Sequence, residues 1–131
     1  MTINIHGLNA PVDSAKAAHD AAMLEDECLF IAHGEWTRAR LALLDALASG
    51  RRGYEGGPSD IYRAGTEKLA RHAPESLEGM RLMLTAASQI LAAREIDGDS
   101  VEGDVPVMPI VITALRALNY GTGEFAPYWR A

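Results

Sequence analysis

Apolar residues recur at three- and four-residue steps along most of this chain, which is the spacing of one face of an α-helix. The first stretch predicts a long amphipathic helix over residues 13–49, with Asp13 or Ser14 as its cap. A break near His33 and Gly34 is an alternative, because glycine costs about 1 kcal/mol relative to alanine inside a helix. The apolar seam of this helix consists of Ala15, Ala18, Ala22, Leu29, Ala32, Trp36, Ala39, Leu43 and Ala46.

Two shorter helices should follow a loop over residues 49–58 that is rich in glycine. Ser59 can cap the second helix, which Pro74 ends. Ser76 can cap the third, which should stop near Gly98. The third helix has the most regular seam in the chain, flanked by Met83 and Ile90 and made of Leu77, Met80, Leu84, Ala87 and Leu91.

The stretch over residues 105–118 is apolar on nearly every side. A helix without a polar face must be enclosed by its own chain or by a partner. Pro106 or Pro109 should start this last helix, and Asn119 with Gly121 should close it. We expect it to pack between the first and third helices, after an acidic turn over residues 97–104.

These elements predict an all-α fold, a compact bundle of four to five helices with a long first helix and an apolar C-terminal helix. At 131 residues the chain fits one domain spanning 1–131. Residues 1–11 are expected to form an arm ahead of the first helix, and residues 122–131 an aromatic tail behind the last.

Charge and cysteine content narrow the class of partner. The net charge of −6 argues against a general nucleic-acid binder, since attraction to phosphate dominates such affinity. Residues 36–94 carry nine Arg or Lys against six carboxylates, so the middle of the chain has a basic bias between acidic ends. Cys28 is the only cysteine, the start lacks a secretory signal, and the last apolar stretch is too short to span a membrane. We therefore expect a soluble cytoplasmic protein.

No reaction centre emerges from the residue spacing, so we expect no catalytic residue, no metal and no cofactor. Asp97 and Asp99 start like a calcium loop, but Val101 and Glu102 occupy positions that the motif reserves for a ligand and a glycine. His19, Asp26 and His33 share one helical stripe, yet residues seven apart are separated by about 10 Å along a helix and cannot share one ion. Cys28 is expected to be buried or half-buried.

The glycine-rich loop is the strongest candidate for a small ligand. Its backbone amides, the charges of Arg51 and Arg52, Gly53 and the helix start at Ser59 could hold an anion such as phosphate. A plain connector between helices explains the same residues. Separately, Glu25, Asp26 and Glu27 form an acidic cluster that could oppose a basic groove in a nucleic-acid-binding machine.

The aromatic tail is the candidate partner-binding element. Phe125, Tyr128, Trp129 and Arg130 are of the residue types enriched where proteins meet. The tail can either fold back over the core or present these side chains to another chain. The exposed side of the last helix or the basic middle segment would complete the contact.

The chain resembles a loose group of small helical bacterial proteins of unknown function, often linked with prophages or other mobile elements. The resemblance lies in the order of its elements: a long alanine-rich helix, a glycine loop, a second helix and the capping sequence Ser76-Leu77-Glu78-Gly79. That resemblance covers residues 13–118 and implies a small regulator or inhibitor acting on another protein. From the residues themselves we predict a non-enzymatic protein-binding module that binds a heterologous protein or forms a homodimer.

Overall fold

The computed structural model describes residues 5–50, 57–98, 100–121 and 123–125, with side chains from residue 13 onward. Within these ranges five helices follow one another and no strand occurs. The prediction of an all-α bundle is therefore confirmed. The helices are α1 (Ile5–Glu25), α2 (Glu27–Ala48), α3 (Pro58–Ala70), α4 (Leu77–Ile96) and α5 (Met108–Tyr120).

The long first helix differs from its prediction at two places. Its interruption lies at Asp26, whereas Gly34 lies within the regular helix α2. At the other end α1 begins at Ile5, so the expected arm over residues 1–11 is wrong for the part that the structure describes. Pro11 predicted a boundary because proline cannot donate a helical hydrogen bond, yet the helix continues through it with one bond fewer.

The core centres on the packing of α2 against α3. The indole Nε1 of Trp36 donates to the hydroxyl of Thr66 at 3.0 Å, and that hydroxyl donates to the carbonyl of Tyr62 at 2.8 Å. The rings of Trp36 and Tyr62 lie 5.8 Å apart. The indole N–H of Trp36 and the hydroxyl of Thr66 are therefore fully buried with their hydrogen bonds made. The hydroxyl of Tyr62 is also buried, but it has no hydrogen-bond partner among the described residues.

A buried carboxylate links the α1–α2 interruption to the start of α4. Asp26 is only 2% exposed. Its oxygens accept hydrogen bonds from the amide of Glu75 at 2.9 Å, from the amide of Ser76 at 2.8 Å and from the hydroxyl of Ser76 at 2.6 Å. The Ser76 hydroxyl also accepts from the amide of Gly79 at 2.9 Å, which confirms Ser76 as the cap of α4. The chain reversal before α4 is therefore held at one point by Asp26.

Gly79 fixes how α4 is rotated about its axis. A Cβ at this position would lie 2.2 Å from Oδ2 of Asp26, so only glycine lets the helix approach the carboxylate this closely. With Gly79 inward, the buried side of α4 consists of Gly79, Met83, Ala86, Ala87 and Ile90.

The last helix packs against α3 and α4 and runs antiparallel to α4. Its predicted contact with the third predicted helix, which is α4, is confirmed, whereas the predicted contact with the first is corrected to one with α3. The turn between α4 and α5 determines where α5 packs. Arg94 donates through Nε to the carbonyl of Gly103 and through a terminal nitrogen to the carbonyl of Val105, both at 2.9 Å. Thr113 then donates to the carbonyl of Ala70 at 2.7 Å, which ties α5 to the end of α3. Gly121, at φ 62°, closes the helix as predicted.

Two glycine-to-alanine changes should shift stability in opposite directions. Gly79→Ala should lower the free energy of unfolding by about 1–3 kcal/mol, because the added methyl group displaces Asp26. The methyl group of Gly34→Ala would make only an ordinary contact, 3.9 Å from a terminal nitrogen of Arg38, so this change should raise stability by up to about 1 kcal/mol through helix propensity. Urea denaturation followed by circular dichroism, at one protein concentration, measures both. Equal stability of the two variants would contradict the proposed role of Asp26.

Candidate protein-binding surface

A regular apolar stripe runs along the outer side of α4. Leu77, Leu84 and Leu91 are 48%, 45% and 44% exposed and follow one another at seven-residue intervals. In the sequence Met80 and Ala87 lie between them and complete an alternation of three- and four-residue steps, but Met80 is half-buried and Ala87 is buried. This is the spacing of a seam on which a second helix packs. The three leucines of the predicted seam thus face outward, whereas the flanking residues Met83 and Ile90 are fully buried.

The neighbouring helix α5 also has apolar residues on its outer side. Ile110, Ala114 and Ala117 face the core. On the opposite side Met108, Ile112 and Leu115 are 58%, 41% and 50% exposed, at positions i, i+4 and i+7. Of the two alternatives for this helix, enclosure by its own chain or by a partner, these exposed side chains favour a partner. We call these three side chains the α5 ridge.

Two grooves lie between α4 and α5. One has a volume of about 260 Å³ and is bounded by Leu77, Met80 and Leu84 of α4 and by Ala114, Leu115 and Leu118 of α5. The other, of about 370 Å³, continues along α4 from Leu84 to Glu95 and is bounded on the α5 side by Val111. Both are lined by Leu84, so they adjoin, and we call the two together the α4–α5 groove. The groove and the α5 ridge together make up the α4–α5 face.

The start of the tail folds back instead of presenting an aromatic anchor. Phe125 is 1% exposed and lines the inner end of the α4–α5 groove, so its predicted role as a surface contact is corrected. Glu124 holds this turn in place: its carboxylate accepts from the amide of Leu77 at 3.1 Å and lies 2.6 Å from Nδ1 of His19. Gly123 has φ 55°, and a Cβ there would lie 2.3 Å from the carbonyl oxygen of Glu75, so this turn requires glycine. Tyr128, Trp129 and Arg130 lie outside the described residues.

Most of the predicted anion site also lies outside the described residues. Arg51, Arg52 and Gly53 belong to the segment that the structure leaves undescribed. Ser59 lies in the first turn of α3, which begins at Pro58 after Gly57, so the predicted cap at Ser59 is displaced by two residues. The anion hypothesis stays a prediction.

The three residues of the predicted acidic cluster do not lie together on the surface, and the two histidines of the predicted stripe have different neighbours. Asp26 is buried beneath α4, whereas Glu25 and Glu27 are exposed, so the three carboxylates do not form one acidic surface. His19 pairs with Glu124, and the ring of His33 lies 6.0 Å from that of Trp36. Cys28 is exposed, contrary to prediction, because the buried positions of α2 begin at Leu29 on an adjacent side.

Burial controls the ionisable groups that lie closest to the core. It raises the pKa of the Tyr62 hydroxyl well above its usual range, with the negative charge of Glu102 adding to the effect, so this group stays protonated. Burial, followed by the positive charge of Arg81, lowers the pKa of His33. Neutral His33 is therefore favoured beside the Trp36 ring. Among the described residues, no three His, Cys, Asp or Glu side chains form a group that could hold a metal ion.

Comparisons with protein-family models, with curated proteins and with solved structures found no match. Within the described ranges, no helix combines the length and the hydrophobicity needed to cross a bilayer.

Phe125→Ala should lower the free energy of unfolding by about 3–5 kcal/mol, since it removes a buried ring from beneath the groove. Tyr120→Ala is the matched control: Tyr120 is an aromatic residue of the same region but is 78% exposed, and its loss should cost less than about 0.5 kcal/mol. Thermal or urea unfolding distinguishes the two. A Phe125→Ala protein as stable as the control would indicate that Phe125 serves a partner and not the core.

Proposed function

We propose that this protein is a non-enzymatic binding module, a small regulator or inhibitor, that takes an amphipathic helix of a protein partner on its α4–α5 face. One observation carries the proposal. Leu77, Leu84 and Leu91, the three leucines of the most regular seam of the chain, lie on the outside of α4 at seven-residue intervals and border an apolar groove. A seam of this spacing is the surface on which a helix packs.

The dimensions of the groove suit a helix. Residues 77–95 of α4 extend over roughly 27 Å at 1.5 Å per residue, which is the length of about five helical turns. Large apolar side chains at i, i+3, i+4 and i+7 of a partner would enter the groove on either side of Leu84. Burying each of them would contribute roughly 1.5–3 kcal/mol before the costs of association.

The likeness of the sequence to small proteins of mobile elements supports the same role, since regulators and inhibitors of that kind act by binding other proteins. The single cysteine suits a reducing compartment, and we propose the cytoplasm as the site of action.

Affinity purification of the tagged chain from its native cells, followed by identification of the captured protein and measurement of its affinity in purified form, tests the function. Leu84→Glu places a charge in the middle of the groove and should weaken binding by at least about a hundredfold. Leu41→Glu is the control, because Leu41 is a similarly exposed leucine, at 57%, on α2. The identified protein should bind the Leu41 variant as it binds the wild type.

Equal affinity for both variants would place the contact elsewhere on the surface and contradict the proposal. If no protein, including a second copy of this chain, binds with a measurable affinity, the function itself is wrong.

A further inference from the structure

The α4–α5 face carries both an apolar recess and apolar side chains that project next to it. The groove offers an apolar recess, and the α5 ridge next to it offers apolar side chains at helical spacing, Met108, Ile112 and Leu115. A surface that carries a recess and a matching projection side by side can pair with a copy of itself across a two-fold axis. A heterologous partner would use only one of the two.

Resting on the proposed function, we infer that the helix occupying the α4–α5 groove is α5 of a second copy of this chain. In this arrangement the α5 ridge of each protomer lies in the groove of the other. The two α4–α5 pairs then form a four-helix bundle with a common apolar interior. Leu115 borders the groove and also belongs to the ridge, so it lies near the two-fold axis.

The size of the recess fits the side chains that would enter it. An apolar cavity of about 150 Å³ can hold a benzene molecule. The first part of the groove measures about 260 Å³, and the second about 370 Å³. Each part has room for a side chain of the size of Ile112 or Met108.

The area of the face is also of the right order. Two helices side by side, about 30 Å and 20 Å long and each about 10 Å wide, present on the order of 500 Å² in projection. Side chains in relief expose more than their projection. A standard dimer interface takes about 800 Å² from each partner. The α4–α5 face therefore approaches the area that a stable dimer needs.

The charge of the two helices permits the pairing. The whole chain carries −6, which opposes self-association. Helices α4 and α5 together carry three arginines against two glutamates, a balance of +1. Within the described part of the α4–α5 groove the one charged lining residue is Glu95, at the end of the second part. The surfaces that would meet thus lack the negative surplus of the rest of the chain.

Sedimentation equilibrium of the full chain, between about 1 and 100 μM, tests the inference over a range in which interfaces of this size associate. The wild type and Leu41→Glu should show twice the monomer mass of 14.1 kDa. Leu84→Glu should raise the dimer dissociation constant by at least about a hundredfold. Ser88→Glu is the second variant: Ser88 is an exposed polar residue that lines the groove, so its replacement does not disturb the core.

A wild-type particle that stays monomeric overturns the inference, and so does a dimer that neither groove variant weakens. A monomer that still binds an identified protein through Leu84 leaves the proposed function standing while the second copy is excluded. A monomer that binds no protein at all contradicts both.

Discussion

The buried carboxylate of Asp26 is the constraint on which the arrangement of the outer helices depends. It accepts hydrogen bonds from two successive amides and from the capping hydroxyl of Ser76, all at the point where α4 begins. A carboxylate with several donors is held firmly, whereas a buried carboxylate without them would be very costly. Gly79 packs directly against it. The position of the helix start and its rotation are therefore decided by the same contact, and the outward side of α4 follows from both.

That rotation determines which of two apolar stripes on α4 is buried. One stripe, through Met83 and Ile90, faces the interior; the other, through Leu77, Leu84 and Leu91, faces outward. Arg94 holds the turn before α5, and Thr113 ties α5 to the end of α3. In the resulting position Leu115 of the α5 ridge borders the same groove as Leu77 and Leu84. Large apolar surfaces on one side of a small protein mark a contact with another protein. The binding role that we propose is thus a consequence of how α4 is fixed.

The sequence predicted where the helices lie better than it predicted which side of each helix is buried. Periodicity and capping residues located α3, α4 and α5 to within about two residues, since these signals are local. Which of the two apolar stripes of α4 is buried, the one through Met83 or the one through Leu84, does not depend on local sequence. It depends on the contact between Gly79 and Asp26, which are more than fifty residues apart in the chain. The interruption at Asp26 was missed for the same reason, because the partners of that carboxylate, Glu75 and Ser76, lie about fifty residues away, directly before α4. For Phe125 the sequence allows both a surface anchor and a side chain folded back over the core, since aromatic residues behind a last helix fit either role. Glu124 and Gly123, which hold the turn beside the start of α4, decide for the second.

The most direct test of the account is the solvent exposure of individual leucine and isoleucine methyl groups in solution, measured by nuclear magnetic resonance with a soluble paramagnetic probe. At high protein concentration, or with an identified partner bound, the methyl groups of Leu84, Ile112 and Leu115 should become protected. Those of Leu41 and Ile61, which are exposed on α2 and α3, should stay accessible under all conditions. If the three methyl-bearing side chains of the α4–α5 face remain as accessible as the two controls in every state of the protein, this face is not a binding surface.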